Sequence, residues 1–156
     1  MSRTTPATLA LDRAGVAYTL ATYDYDPNAE RVGLQAAEAL GVPASEVLKT
    51  LMVKADGKPV CVVLASDREV NMKRLAAALG AKTAGMMKPA DAERLTGYRV
   101  GGVSPFGQKR LVPTVVDADA AALPEAFVNA GQRGLQARLA PADLLRVLGA
   151  TVAAVT

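Results

Sequence analysis

The sequence predicts one domain over residues 1–156, of the α/β (α+β) class, with a mixed β-sheet that curls into a barrel-like core surrounded by helices. A chain of 156 residues is long enough for one substantial core, and no linker, repeat or change of composition divides it. Helical and strand patterns alternate irregularly, and one β-hairpin is clear. This mixture favours a mixed sheet over a doubly wound fold.

The first half of the chain predicts three helices and three strands. Thr5 and Pro6 are typical of a helix start, and the apolar stripe that follows them ends at Gly15. Residues 16–23 alternate and are rich in β-formers, which indicates a strand, and residues 24–31 form a polar loop. The next elements are a helix over 34–40 ended by Gly41, a turn over 43–46, a hairpin of strands 47–54 and 59–65 around Asp56 and Gly57, and a helix over 72–79 between the cap Asn71 and Gly80.

The second half predicts shorter elements around a glycine-rich loop. Residues 82–87 could form a short strand, and Pro89 opens a helix that runs to residue 95. The remaining elements are strands over 114–117, 126–129 and 135–139, a helix over 141–148 ended by Gly149, and a last strand over 151–155.

Composition excludes several kinds of site. The chain has no histidine, which removes Ser-His-Asp and Cys-His catalysis and the commonest metal ligand. Its one cysteine, Cys61, lies in an apolar run and is expected to be a buried strand residue, so we expect neither a metal nor a cofactor. The net charge of +3 is compatible with an RNA partner. Apolar runs are short and the N-terminus lacks the apolar core of a signal peptide, so we expect a cytoplasmic protein with no membrane partner.

The glycine-rich run from Gly97 to Arg110 is the most informative segment. It contains four glycines, one proline and three cations. Gly101 and Gly102 allow a close approach of the backbone, whose N–H groups could bind an anion or a carbonyl oxygen. It is not a P-loop, because Gln108 stands where the lysine is required. The alternative is a glycine-rich turn that binds nothing.

Lys49 is unusual because both faces of its predicted strand are apolar. Such a lysine either lines a cleft and meets an anion, or extends to water from the strand start, and the residues alone favour neither. Tyr23, Thr50 and Ser104 could bind a ligand, although a half-buried tyrosine and local backbone partners are the commoner outcomes. Residues 129–134 form a second loop with two glycines, or an ordinary turn.

Three segments together resemble the YbaK family of aminoacyl-tRNA editing deacylases. They are Lys49-Thr-Leu-Met-Val53, the run from Thr96 to Arg110 with its Gly-Gly-Val-Ser-Pro-Phe-Gly-Gln-Lys sequence, and Gly131-Gln-Arg-Gly134. The likeness is strongest to the cysteinyl-tRNA(Pro) deacylase branch, and it extends to the editing insertion of bacterial prolyl-tRNA synthetase. It covers the chain from about Ala7 to the C-terminus.

The resemblance implies hydrolysis of the ester that joins a mischarged amino acid to tRNA, without a metal or cofactor and with assistance from the cysteine thiol or a tRNA hydroxyl. The implied partners are the aminoacylated 3′ end of tRNA and prolyl-tRNA synthetase. The implied catalytic residues are Lys49, Gly101 and Gly102. The implied substrate-binding residues are Tyr23, Thr50, Ser104, Pro105, Asn129 and Gly131.

Four positions depart from the family pattern. Ala21 replaces a common histidine, Asn129 a common serine, Gln132 a common lysine and Gln136 a common acidic residue. Because Asn129 falls on the implied amino-acid pocket, two alternatives stay open: editing of alanine- or serine-charged tRNA, and a tRNA-binding module without catalysis.

Overall fold

The computed structural model describes residues 4–28 and 32–156. All of its strands belong to one mixed sheet. The strands are β1 Thr19–Thr22, β2 Val47–Ala55, β3 Lys58–Ala65, β4 Ala84–Met86, β5 Thr114–Asp117, β6 Ala126–Gln132, β7 Leu135–Leu139 and β8 Thr151–Ala153. The helices are α1 Pro6–Arg13, α2 Val32–Leu40, α3 Met72–Leu79, α4 Pro89–Thr96, α5 Ala118–Ala121 and α6 Pro141–Leu148, with a short 3₁₀-helix at Ala44–Glu46.

The sheet has the strand order β1-β7-β6-β2-β3-β5-β8, with β4 paired to β2 beside this path. Parallel pairing joins β2 to β6, β3 to β5 and β5 to β8, while the other pairs are antiparallel. The predicted α/β domain on a mixed sheet is therefore confirmed. Among the described strands the sheet stays open, with β1 at one end of the order and β8 at the other.

The helix boundaries follow from caps that are visible in the sequence. Thr5 accepts a hydrogen bond from the Thr8 N–H in a capping box, and Asn71 accepts one from the Arg74 N–H. Gly80 and Gly149 end their helices in the left-handed conformation, where glycine carries no Cβ penalty. These local signals explain why the predicted helix ends agree closely with the structure.

The central hairpin is also dictated locally. Asp56 and Gly57 both have positive φ, 49° and 79°, as a two-residue turn of type I′ requires. The register places Ala55 opposite Lys58. The Asp56 carboxylate accepts hydrogen bonds from the Lys82 and Thr83 N–H groups, so it ties the turn to the approach of β4. Those bonds lower the pKa of Asp56.

The first and last strands are shorter than predicted, and one short helix was not predicted. The first strand begins at Thr19 rather than at residue 16. The Val16 N–H donates a hydrogen bond to the Leu11 carbonyl, so this residue belongs to the turn that ends α1. The last strand ends at Ala153, after which the Val155 N–H donates to Asp117. The α5 helix was not predicted, since four residues carry no periodicity. Part of the predicted polar loop, residues 29–31, lies outside the described residues.

The sheet separates two main apolar clusters. The larger contains Leu11, Phe106, Val116, Val128 and Leu144, and the second contains Val53, Val62, Leu75, Val115 and Val155. Strands with both faces covered carry apolar side chains on both faces, as β3 does. No helix among the described residues is long and apolar enough to cross a membrane.

The position of the site depends on a gap along one edge of β2. On that edge β6 pairs with β2 only at Val47 and Leu48, and β4 resumes pairing at Val53. The opposite edge is paired with β3 along the whole hairpin. Residues 49–51 therefore have a strand on one side and a gap on the other.

Candidate functional site

A cavity of about 390 Å³ occupies this gap in the sheet. Its walls come from β2, the start of α4, the Val100–Val103 segment of the glycine-rich loop, and the paired strands β6 and β7. Its polar lining residues are Lys49, Thr50, Ser66, Glu69, Asn129 and Gln136. Its apolar lining residues include Met52, Met86, Met87, Val100 and Val103. The cavity thus combines an apolar wall with a small number of convergent polar groups, as binding sites do.

The gap explains why adjacent residues of one strand line the same cavity. Side chains of Lys49 and Thr50 leave opposite faces of β2, but a cavity at the open edge of the strand is reached from both faces. The Ser66 N–H donates to the Val47 carbonyl on the β3 side, and the Met87 N–H donates to the Met52 carbonyl on the other. Because backbone groups alternate sides along a strand, the N–H and C=O of Thr50 face the gap.

The glycine-rich loop enters the cavity at Gly101. This residue has φ +89°, and a Cβ built on it would lie 2.6 Å from the Tyr25 hydroxyl oxygen. Only glycine combines this conformation with that close approach. The Val100 N–H donates to a Glu93 carboxylate oxygen at 2.9 Å, and the Gly102 N–H donates to the Arg99 carbonyl at 2.8 Å. The loop is therefore held in one conformation by its own neighbours.

Asn129 links this loop to the second glycine loop. Its side-chain amide donates to the carbonyl oxygens of Gly101 at 3.2 Å and Gln132 at 3.3 Å. Its side-chain oxygen accepts from the N–H groups of Gly131 at 2.7 Å and Gln132 at 3.2 Å. Asn129 lines the cavity, but its polar atoms are committed to the backbone.

Three buried side-chain oxygens in this region have no hydrogen-bond partner among the described residues. Two belong to the cavity lining, Thr50 Oγ1 and Gln136 Oε1, and the third is the hydroxyl of Tyr23. Tyr23 does not line the cavity, but it lies beside Gln136. Burial raises the pKa of Tyr23, and the neighbouring Gln136 amide opposes that rise, although the two side chains do not reach normal hydrogen-bond geometry. Unpaired buried oxygens are costly, which makes this part of the cavity suited to a ligand with N–H or O–H groups.

The structure brings four of the nine predicted site residues to the cavity: Lys49, Thr50, Gly101 and Asn129. The other five, Tyr23, Gly102, Ser104, Pro105 and Gly131, are not among its lining residues. Gly102 packs under the backbone of Arg133, where a Cβ would approach the Arg133 nitrogen to 2.9 Å. Gly131 packs against Tyr98, and Ser104 and Pro105 are buried. The Ser104 hydroxyl oxygen accepts a hydrogen bond from the Phe106 N–H at 3.2 Å, so it shapes the turn.

Sequence reasoning missed Ser66, Glu69 and Gln136 as lining residues. In the sequence Gln136 stands out only as a departure from the family pattern. Its pairing with Asn129 across β7 and β6 brings it to the cavity. Ser66 follows β3, and its hydroxyl donates to the Val47 carbonyl at 2.6 Å. No signal in the sequence connects these positions to Lys49, because their proximity depends on strand order.

The described residues contain no group of three or more His, Cys, Asp or Glu side chains arranged to hold a metal ion. Cys61 is buried in β3, as predicted, and burial raises the pKa of its thiol to about 12. At neutral pH this thiol is therefore protonated and poorly suited to act as a ligand or nucleophile.

Sequence and structure comparisons give a consistent result. Residues 26–147 match the aminoacyl-tRNA editing domain family. The chain is 36% identical over 121 residues to an Enterococcus faecalis protein named "Putative Cys-tRNA(Pro)/Cys-tRNA(Cys) deacylase EbsC", covering 77% of this chain and 74% of that one. It is 35% identical over 87 residues to the proline–tRNA ligase of Acidithiobacillus ferrooxidans, covering 56% of this chain but only 15% of the ligase.

A solved structure described as "a putative trans-editing enzyme for prolyl tRNA synthetase" has the same fold. Its TM-score is 0.82 over 99% of both chains, at 23% sequence identity. The family match spans all the segments that line the cavity, from β2 to β7.

Proposed function

The chain belongs to the aminoacyl-tRNA editing domain family and is an aminoacyl-tRNA deacylase, and we propose that its substrate is tRNA(Pro) mischarged with cysteine. The observation that carries the site assignment is that Lys49 and Gly101, from distant parts of the sequence, line one cavity. The name of the Enterococcus faecalis relative supports the choice of cysteine. The serine common in the family is Asn129 here, which makes this choice worth testing directly.

Hydrolysis adds water across the aminoacyl ester and releases the free amino acid and the tRNA hydroxyl. Negative charge develops on the ester carbonyl oxygen, and a backbone N–H aimed at that oxygen stabilises it. We assign this donor to Gly101. The N–H of Gly102, the other glycine that the resemblance implies, already donates to the Arg99 carbonyl. We therefore propose that Gly102 contributes by packing the loop.

Lys49 supplies the positive charge that the reaction needs. It is the only lysine or arginine among the described residues that line the cavity. It is therefore the cation placed to bind the ester carbonyl or the terminal phosphate. Thr50, Tyr23 and Gln136 offer oxygens that suit the amino group and the hydroxyls of the substrate. Ser104, Pro105, Asn129 and Gly131 act by shaping the two loops.

The substrate itself provides the nucleophilic group. The chain has no histidine, and its one cysteine is buried with a raised pKa. The thiol of a cysteinyl ester can attack its own carbonyl carbon, with its proton passing to the departing tRNA oxygen. Water then opens the resulting four-membered cyclic thioester and releases free cysteine. A thiol ionises far more readily than the hydroxyl of serine, so this route favours cysteine.

We further propose that residues 1–156 act as one deacylase domain. The α1 helix and β8 lie outside the family match, yet the Thr5 hydroxyl donates to the Ala130 carbonyl at 2.6 Å, and β8 pairs with β5. The partners are the aminoacylated 3′ end of tRNA and prolyl-tRNA synthetase, which would place the protein in the cytoplasm with the translation machinery.

Deacylation of cysteinyl-, seryl- and alanyl-tRNA(Pro) tests this function. We expect the cysteinyl substrate to react fastest, by more than the roughly 1–3 kcal/mol with which a pocket separates close analogues. Equal rates for cysteine and serine would reject thiol assistance. A preference for alanine would assign the chain to another editing specificity, and binding of tRNA without any deacylation would make it a tRNA-binding module.

The Lys49→Ala variant tests, in the same assay, whether the positive charge of Lys49 is needed for the reaction. We expect it to lose deacylation while keeping its fold, as judged by circular dichroism. Lys54→Ala is the matched control, because Lys54 is an exposed lysine of the same strand outside the cavity. Near-normal turnover by folded Lys49→Ala would contradict the assignment.

A further inference from the structure

Two successive peptide groups of the glycine-rich loop, Val100–Gly101 and Gly101–Gly102, are each held by a side chain from another part of the chain. The Arg133 Nε donates to the Val100 carbonyl oxygen at 2.9 Å. The Asn129 side-chain amide donates to the next carbonyl oxygen, that of Gly101, at 3.2 Å. Arg133 and Asn129 belong to the β6–β7 turn region, so one turn fixes two successive carbonyls of the glycine-rich loop.

Tyr25 supports this arrangement from a third direction. The Arg133 guanidinium carbon lies 5.1 Å from the centre of the Tyr25 ring, within the range of a cation–π contact. The hydroxyl end of the same ring lies against Gly101, 2.6 Å from where a Cβ would be. Tyr25 therefore holds the Arg133 side chain and also fills the space behind the loop.

The direction of the Val100 carbonyl determines the direction of the Gly101 N–H. In a trans peptide the C=O and the following N–H point in opposite directions. Because the Val100 carbonyl points to the exposed Arg133, the Gly101 N–H points away from Arg133, and Gly101 is on the cavity wall. Glycine has access to nearly all backbone conformations, so nothing intrinsic to Gly101 opposes rotation of this peptide group.

We propose that Arg133 and Asn129 are positioning residues. Arg133 fixes the Val100–Gly101 peptide with its N–H toward the cavity, and Asn129 fixes the Gly101–Gly102 peptide that follows it. This inference rests on the proposed function, in which the Gly101 N–H stabilises the developing oxyanion. Rotation of the peptide would turn the Val100 carbonyl oxygen toward the substrate, where it would repel the developing negative charge. Rotation would also break the hydrogen bond from Arg133. The free-energy cost of breaking it keeps most molecules in the active orientation.

The test replaces Arg133 by methionine, which keeps a long apolar side chain and removes the donor. We expect kcat on cysteinyl-tRNA(Pro) to fall at least tenfold while KM changes less than twofold, because the residue acts on the reaction rather than on tRNA binding. Arg138→Met is the matched control. Arg138 is also exposed and also lies over an aromatic ring, that of Phe127 at 5.9 Å, but it does not line the main cavity.

A second measurement separates this inference from the proposed function. The amide resonance of Gly101 reports the orientation of its peptide group in the absence of substrate. We expect it to shift or broaden in Arg133→Met and in Asn129→Ala, and to stay in place in Arg138→Met. If wild-type protein deacylates no tRNA, the proposed function fails. This measurement then still tests whether Arg133 and Asn129 position the loop. An unmoved Gly101 resonance, or an effect of Arg133→Met on KM alone, would overturn the positioning role.

Discussion

At the scale of single residues, the site is built from groups that a folded core would ordinarily avoid. A lysine lines a gap in a largely apolar sheet, and buried oxygens of Thr50, Gln136 and Tyr23 lack partners in the described structure. Each such oxygen costs on the order of 1–3 kcal/mol when it leaves water unpaired. Two of them line the cavity and the third lies beside it, which supports the proposal that the substrate completes them.

Gly101→Ala should slow the reaction strongly. Alanine is strained at φ +89°, and its Cβ would meet the Tyr25 hydroxyl, so the N–H would move from its position. Losing one oxyanion donor raises the barrier by about 3 kcal/mol, which is roughly a hundredfold in kcat. Gly80→Ala is the control, because Gly80 has φ +67° with no atom within 4 Å. That variant should lose stability and keep its rate; an unchanged rate in Gly101→Ala would mean that the loop is only a turn.

Gln136→Leu should separate stability from binding. Leucine removes the unpaired buried Gln136 oxygen at similar volume, so the unfolding midpoint should stay the same or rise. The same change removes an acceptor for substrate N–H or O–H groups, so KM should rise about tenfold if one hydrogen bond of about 1.4 kcal/mol is lost. Urea titration and steady-state kinetics measure the two effects. A destabilised variant with unchanged KM would show that Gln136 is structural.

At the scale of elements, α1 anchors both glycine loops from behind. The Gly107 backbone lies against the Pro6 carbonyl, and Gly131 lies within contact of Ala7 and Thr5. The Tyr98 hydroxyl donates to the Phe106 carbonyl at 2.6 Å, which closes the glycine-rich loop onto the same region. The loops therefore depend on a helix that the family match does not include.

Gly107→Ala should disrupt this anchor. A Cβ there would collide with the Pro6 carbonyl oxygen and lie 2.9 Å from the Ala7 nitrogen, both of which are backbone atoms that cannot move aside. We expect a loss of about 3 kcal/mol in the free energy of unfolding, together with reduced activity. Gly15→Ala, at φ +69° with open space around it, isolates the cost of conformation alone. Equal unfolding free energies for the two variants would contradict the packing argument.

At the scale of the whole molecule, the chemistry is limited by what the chain lacks. A sequence without histidine and with one buried cysteine has few groups suited to transition metals. Our proposal accordingly gives the reaction to a lysine, a backbone N–H and the substrate.

Exhaustive chelation should therefore leave the deacylation rate of the purified protein unchanged. The enzyme is treated with chelator, desalted and assayed on cysteinyl-tRNA(Pro) beside an untreated sample. Loss of activity that one added metal restores would replace the mechanism proposed here.

The sequence alone determined the features that depend on neighbours along the chain. Caps at Thr5 and Asn71, glycine stops and the Asp56-Gly57 turn fix helix ends and a hairpin through local hydrogen bonds and φ preferences, and the motif resemblance indicated Lys49 and Gly101. Strand order decided the rest. Two ladder pairs between β2 and β6, followed by β4 at Val53, open the gap that holds the cavity. At that gap Gln136 and Lys49 line the same cavity, while Gly102 and Ser104 do not line it. Contacts between distant strands depend on the order in which the strands pair and not on local propensity.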